Sequence, residues 1–217
     1  MVKISEMKKL APPSKPVSYK NDTKTKPTPK EFALKPYRQG AFDGFCGVYS
    51  IINAMRLIAS TSDGLGEEFC DRLFNAIVRH ATLRIGLRRL VKNGTPQWLM
   101  RSFLRGSCDF IGRHRKLKPS LQQPLLRKRR LSIENVLCIL RQELAVQRCT
   151  FIVEIGGVHS HWTVIRDIGK AQVQLFDSDG LKVLNISELR MSYEKPNLRA
   201  KHQIVAGSVF MLVRSRP

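Results

Sequence analysis

The hydrophobic period of the chain changes once, near residue 147, and that change constrains the fold more than any other feature. Before it, apolar residues recur at helical spacing. Val48, Ile51, Ile52, Met55, Ile58 and Ala59 follow Cys46; Phe69, Leu73, Ala76 and Ile77 share one face of a stretch over 67–80. Thr95 and Pro96 supply cap and first-turn chemistry for a short helix through Trp98, Leu99 and Phe103. Ser132 is placed to cap a helix whose inner face is Ile133, Val136, Leu137, Leu140 and Leu144. After it, residues 150–155, 161–165, 172–176 and 204–213 read as strands, with Gly156 and Gly157 expected to end the first of them. Helices first and strands after predict an α+β fold, an N-terminal helical half packed on a C-terminal antiparallel sheet.

With 217 residues, 42% of them hydrophobic, the chain can bury a core without disulfides or metal, which excludes a wholly disordered protein. Its longest apolar stretches are far shorter than the roughly 20 residues a membrane span needs. Residues 1–13 lack the apolar centre of a secretory signal, so a cytoplasmic location is expected, with export by a signal-independent route left open. The cysteines, at 46, 70, 108, 138 and 149, are odd in number and form no CxxC pair or short Cys/His spacing. Neither a disulfide framework nor a zinc site is expected, and Cys138 and Cys149 are expected in the core.

The net charge of +21 invites a reading as a binder of nucleic acid or another polyanion, so its position matters. Residues 1–36 hold nine lysines against three acids, together with six of the eleven prolines, and read as a basic disordered extension before a folded domain over 37–217. Residues 113–130, RHRKLKPSLQQPLLRKRR, carry eight cations and no acid, and their two prolines predict a loop or insertion between helices. These two segments hold most of the excess charge. They point to an acidic partner, an anionic surface or nucleic acid, although no aromatic residue interleaves with 113–130 to stack on bases.

The stretch from Gln39 to Gly47, QGAFDGFCG, places a thiol at a helix start, where unpaired N–H groups and the helix dipole favour the thiolate. Gly44 and Gly47 let another chain approach the backbone closely. The Cys46 N–H would face a developing oxyanion, and Gln39 is an upstream side-chain donor. A thiolate also needs a base and a group to orient it. His161 opens one strand in GGVHSHWTVI and Asp177 ends the next in VQLFDSDG, sixteen residues on, an even interval compatible with one sheet face. His159 would point the same way as His161, and Asp179 is a further acid within the Ser-Asp-Gly turn.

These residues carry a resemblance. Gln, then Cys at a helix start, then His opening a strand and Asp closing the next, resembles the papain-like cysteine peptidase superfamily. DGFCGVYSIINA and HWTVI…LFDSDG are similar to bacterial double-glycine leader peptidases, and the His-Trp and Phe-Asp-Ser pieces resemble proteases of ubiquitin-like modifiers, in which the cysteine comes last. The likeness spans about residues 39–179, with two specific segments. It implies Cys46 as nucleophile, His161 as base and then acid, Asp177 as orienter and Gln39 as oxyanion donor. The Gln39–Cys46 interval is one residue longer than the family's usual one, which implies a bulged loop; the His-Trp-apolar-apolar order selects His161 over His159. The implied activity is hydrolysis of a peptide or isopeptide bond in a protein, including conjugates of a ubiquitin-like modifier, with no cofactor. Transglutaminase-like transfer to an amine on the same triad, or a non-catalytic papain-like module held to a polyanion by its basic segments, are the rival expectations.

Overall fold

A computed structural model describes residues 34–40, 44–59, 63, 65–125, 131–158, 160–196 and 198–214. The basic extension up to residue 33, Asp43, and residues 126–130 of the second basic block lie outside the described residues. From Lys35 onward the described chain is one compact unit of mixed helix and mostly antiparallel sheet.

The helices are α1 (Cys46–Ile58), α2 (Glu67–Ile85), α3 (Leu87–Asn93), α4 (Gln97–His114) and α5 (Ile133–Val146). The strands are β1 (Pro119–Gln122), β2 (Cys149–Gly157), β3 (His161–Ile168), β4 (Gln172–Leu175), β5 (Val183–Asn185), β6 (Leu189–Met191), β7 (His202–Ile204) and β8 (Phe210–Arg214). The eight-stranded sheet runs β1-β8-β2-β3-β4-β5. The nine-residue β2 pairs β8 along its first half and β7 along its second; β7 also pairs β6 in parallel, the one parallel step.

Alternate strand residues sort cleanly between two cores. Ile152, Trp162, Val164, Phe176, Phe210 and Leu212 face α1 to α4. Phe151, Val153, Ile155, Ile165, Val173 and Met211 face α5. Because both faces are covered, the strands read as continuous apolar runs and not as alternating ones. Ser132 caps α5 as expected, its hydroxyl accepting from the Asn135 N–H at 3.4 Å.

Several expectations are corrected. The block at 113–130 is not a loop throughout: its first residues finish α4, and residues 119–122 form edge strand β1 beside β8. Pro119 is tolerated there because it stands first on an edge strand. The helix expected after Pro96 runs on to His114. The stretch at 204–213 is two strands, β7 and β8, separated by a short 3-10 turn. Gly156 and Gly157 are the last two residues of β2, paired with β7 before the strand ends: Gly157, at φ +100°, passes under the Lys201 carbonyl, which a Cβ would strike. Cys138 is exposed on α5, off the stripe of Ile133, Val136, Leu137 and Leu140, and Cys149 is half-buried.

Candidate active site

Cys46 is the first residue of α1 and half-buried. No described side chain caps that helix start, and its first turn carries no acid. The start is pinned in two ways. Phe45 and Tyr49 pack on Phe74 of α2, at 5.6 and 5.4 Å between ring centroids. Gly44 and Gly47 abut the α3–α4 connection: a Cβ on Gly44 would lie 2.5 Å from the Val91 carbonyl oxygen, and one on Gly47 2.6 Å from Thr95 Oγ1. The chain those glycines admit is therefore the protein's own.

Down one side of α1, at i, i+4 and i+7, run Cys46, Ser50 and Asn53, three small polar residues on a largely apolar helix. Ser50 Oγ donates to the Trp162 carbonyl at 2.8 Å, tying α1 to β3. Trp162, almost fully buried, donates from its indole N–H to the Thr95 carbonyl at 2.7 Å, which ties β3 to the entry of α4. Its role is to hold α1 and α4 against the strand that carries His161.

His161 Nε2 lies 2.7 Å from Asp177 Oδ2, and the Asp177 side chain is wholly buried. The carboxylate's other oxygen accepts the backbone N–H groups of Asp179 at 2.8 Å and Leu181 at 3.1 Å. A β-bulge sets this meeting. Ile165 pairs Leu175 and Phe176 N–H reaches the Val164 carbonyl, but beyond the bulge Asp167 pairs Gln174. Without the bulge, with Arg166 paired to Leu175, Asp177 would stand opposite Val164 and share its face in place of that of His161.

No described hydrogen bond joins Cys46 to this ring, but the cysteine is near enough to raise the imidazole's pKa together with Asp177. Burial alone would push the His161 pKa down, but the hydrogen bond and charge of Asp177, with the nearby Cys46, outweigh it and raise it to about 10. For Asp177, burial opposes ionisation, and the bond to His161 with the neighbouring donors overcomes it and holds the carboxyl below its usual range. Burial pushes the Cys108 thiol up to about 12 and Cys149 to about 11, and raises Cys70 as well, so none of these three is set to ionise.

Gln39 is placed against the turn that follows Asp177. Its backbone N–H donates to the Ser178 carbonyl at 3.1 Å and its Oε1 accepts the Ser178 hydroxyl at 3.4 Å, which leaves the Nε2 end of the amide as the donor. No described bond joins it to Cys46. The segment that carries it is held by Asn53, whose Oδ1 accepts the Tyr37 N–H at 2.8 Å and whose Nδ2 donates to the Tyr37 carbonyl at 3.2 Å. Arg56 donates to the Lys35 carbonyl and covers the Tyr37 ring at 4.4 Å. Asn53 and Ser178 escaped the reading of the sequence. The polar stripe on α1 was the available signal for Asn53; nothing in the sequence marks Ser178 as the partner of Gln39.

Asp179 contributes its backbone N–H to Asp177, and its own side chain is exposed. His159 lies outside the described residues. Among the described residues no group of three His, Cys, Asp or Glu forms a metal-donor set, and no helix is long and apolar enough to cross a membrane. The arrangement can do one kind of chemistry directly: hold an imidazolium between a carboxylate and a thiol at a helix start. No protein-family model, curated protein or solved structure matches the chain.

Proposed function

We propose that the protein is a papain-like cysteine peptidase that hydrolyses a peptide or isopeptide bond in a protein substrate. One observation carries this reading: a buried carboxylate holds the His161 imidazole at 2.7 Å, and the cysteine that opens α1 is near enough to that ring to raise its pKa. Cys46 Sγ attacks the substrate carbonyl carbon, and the oxyanion is held by the Cys46 N–H with Gln39 Nε2 as second donor. The His161 imidazolium gives its proton to the leaving amine as the C–N bond breaks, leaving a thioester. Neutral His161 then takes a proton from water, whose hydroxide attacks the thioester; Sγ leaves, the acid product departs and the thiolate–imidazolium pair is restored. Asp177 keeps the ring oriented throughout and stabilises it whenever it is charged. The scheme uses no metal or organic cofactor, and conjugates of ubiquitin-like modifiers are one substrate class of the right chemistry.

The test is incubation of the full chain with a proteome-derived peptide library and with modifier conjugates, read by mass spectrometry against Cys46→Ser, with and without added glycine ethyl ester. New carboxyl ends made by the wild type alone support hydrolysis. Amide products with the added amine, in place of free acids, would move the reading to acyl transfer. The absence of both would overturn it.

A further inference from the structure

Between residues 79 and 118 stand eight arginines and three lysines against one acid, Asp109. The flanking segments are close to balance, with four cations and five carboxylates over 34–78 and ten and eight over 131–214. The folded unit's own excess charge is therefore gathered on α2, α3, α4 and the residues just after them. Arg84, Arg88, Arg89, Lys92, Arg101 and Arg105 are all exposed, and the three ion pairs among the described residues include none of them.

The same corner carries large apolar side chains in water: Leu83 is 81% exposed, Trp98 61%, Leu87 46% and Val91 37%. Gly86 turns the end of α2 directly into α3, and a three-residue turn leads from α3 into α4, so the four fall within one short run of consecutive helices. The other exposed apolar residues, among them Val146, Val158 and Leu198, lie in segments whose charges are close to balance; these four lie in the segment that holds the excess of cations. The corner also borders the candidate site, because the Leu90 and Val91 carbonyls pack on Gly44, two residues before Cys46.

We propose that this corner docks on an anionic lipid surface, with Leu83, Leu87 and Trp98 entering the headgroup region and the surrounding arginines and Lys92 meeting lipid phosphates. A polynucleotide would complement the charge but give the projecting leucines nothing to bury against. A protein partner's side chains are usually received in a groove, and the groove between α2 and α4, lined by Leu73, Ile77, Phe103 and Phe110, includes none of the four.

The chain supplies its own probe. Its two tryptophans are Trp98 and Trp162, and Trp162 is only 3% exposed, so a shift in emission on docking reports Trp98. Full-length protein is mixed with vesicles of phosphatidylcholine alone or with about one third phosphatidylglycerol, and followed by co-sedimentation and by emission with brominated lipid as quencher. The expected result is binding to the anionic vesicles with a blue shift and quenching, little binding to the neutral ones, and at least about a tenfold weaker partition for Leu83→Ser combined with Leu87→Ser. Both positions are exposed, and an unchanged melting temperature verifies that the fold is kept. Three results would each overturn the proposal: no binding to anionic vesicles, equal partition by the double variant with the emission of Trp98 unmoved, or preference for a short DNA duplex over the vesicles.

Discussion

Replacing Asp177 with asparagine keeps the shape of the side chain and removes its charge. Asn Oδ1 can still accept the N–H groups of Asp179 and Leu181, but its Nδ2 now faces His161 Nε2 as a donor, which forces that nitrogen to be an acceptor. The ring must then give up its charge or turn. In the native protein His161 is held at about 10 against 6.5 for a free imidazole. That difference corresponds to ~5 kcal/mol at about 1.4 kcal/mol per pH unit. Cys46 shares it and the ring is partly open to water, so the part owed to Asp177 is about 2 kcal/mol. Asp177→Asn should therefore lower the His161 titration by about 1.5 pH units. The assay is a pH titration of the ring nitrogens by NMR, with His161 assigned by its loss in His161→Ala. A wild-type His161 that titrates near 6.5, or an unmoved midpoint in Asp177→Asn, would refute the reasoning.

Three further outcomes follow from the same geometry. Since the folded pKa of His161 lies above the unfolded one, the pair's contribution to stability is fully present below about pH 6.5 and lost as pH rises toward 10; the resistance of the wild type to urea should fall over that window more than that of Asp177→Asn. Gly47→Ala should lower stability by about 1–3 kcal/mol, since its methyl would meet Thr95 and Met100 in a packed site, a fall in melting temperature of several degrees by calorimetry. Asn53→Ala should strip hydrogen-exchange protection from the Tyr37 and Gln39 amides and cost about 1–3 kcal/mol, while protection across β2 and β3 remains.

Much of the scaffold is legible because both faces of its sheet are covered. Continuous apolar runs mark β2, β3 and β8, and the helical stripes mark α1, α2 and α5. What escapes has identifiable causes. α3 is seven residues between two glycines of positive φ, too short to show a period. β5 and β6 are three residues each, and β1 begins with a proline that reads as a breaker unless the strand is known to be an edge. In the candidate site, Cys46, His161 and Asp177 are visible as residue types at element ends. Their meeting is not, because the even count between His161 and Asp177 puts them on one face only through the bulge after Ile165. Charge was legible as a total and as two basic segments, 1–36 and 113–130; its concentration over 79–118 acquires meaning only beside the exposed Leu83 and Trp98.

The claim on which the rest depends is that His161, held charged by Asp177, activates Cys46 and no other thiol. Brief treatment with a substoichiometric thiol-directed electrophile at mildly acidic pH, with the adduct located by mass spectrometry, tests it most directly. Cys138 is exposed and serves as the internal control for simple accessibility. The expected result is an adduct on Cys46 in the wild type, absent from Cys138, and lost from Cys46 in His161→Ala. Comparable labelling of Cys46 and Cys138, or Cys46 labelling that survives the loss of His161, would contradict it.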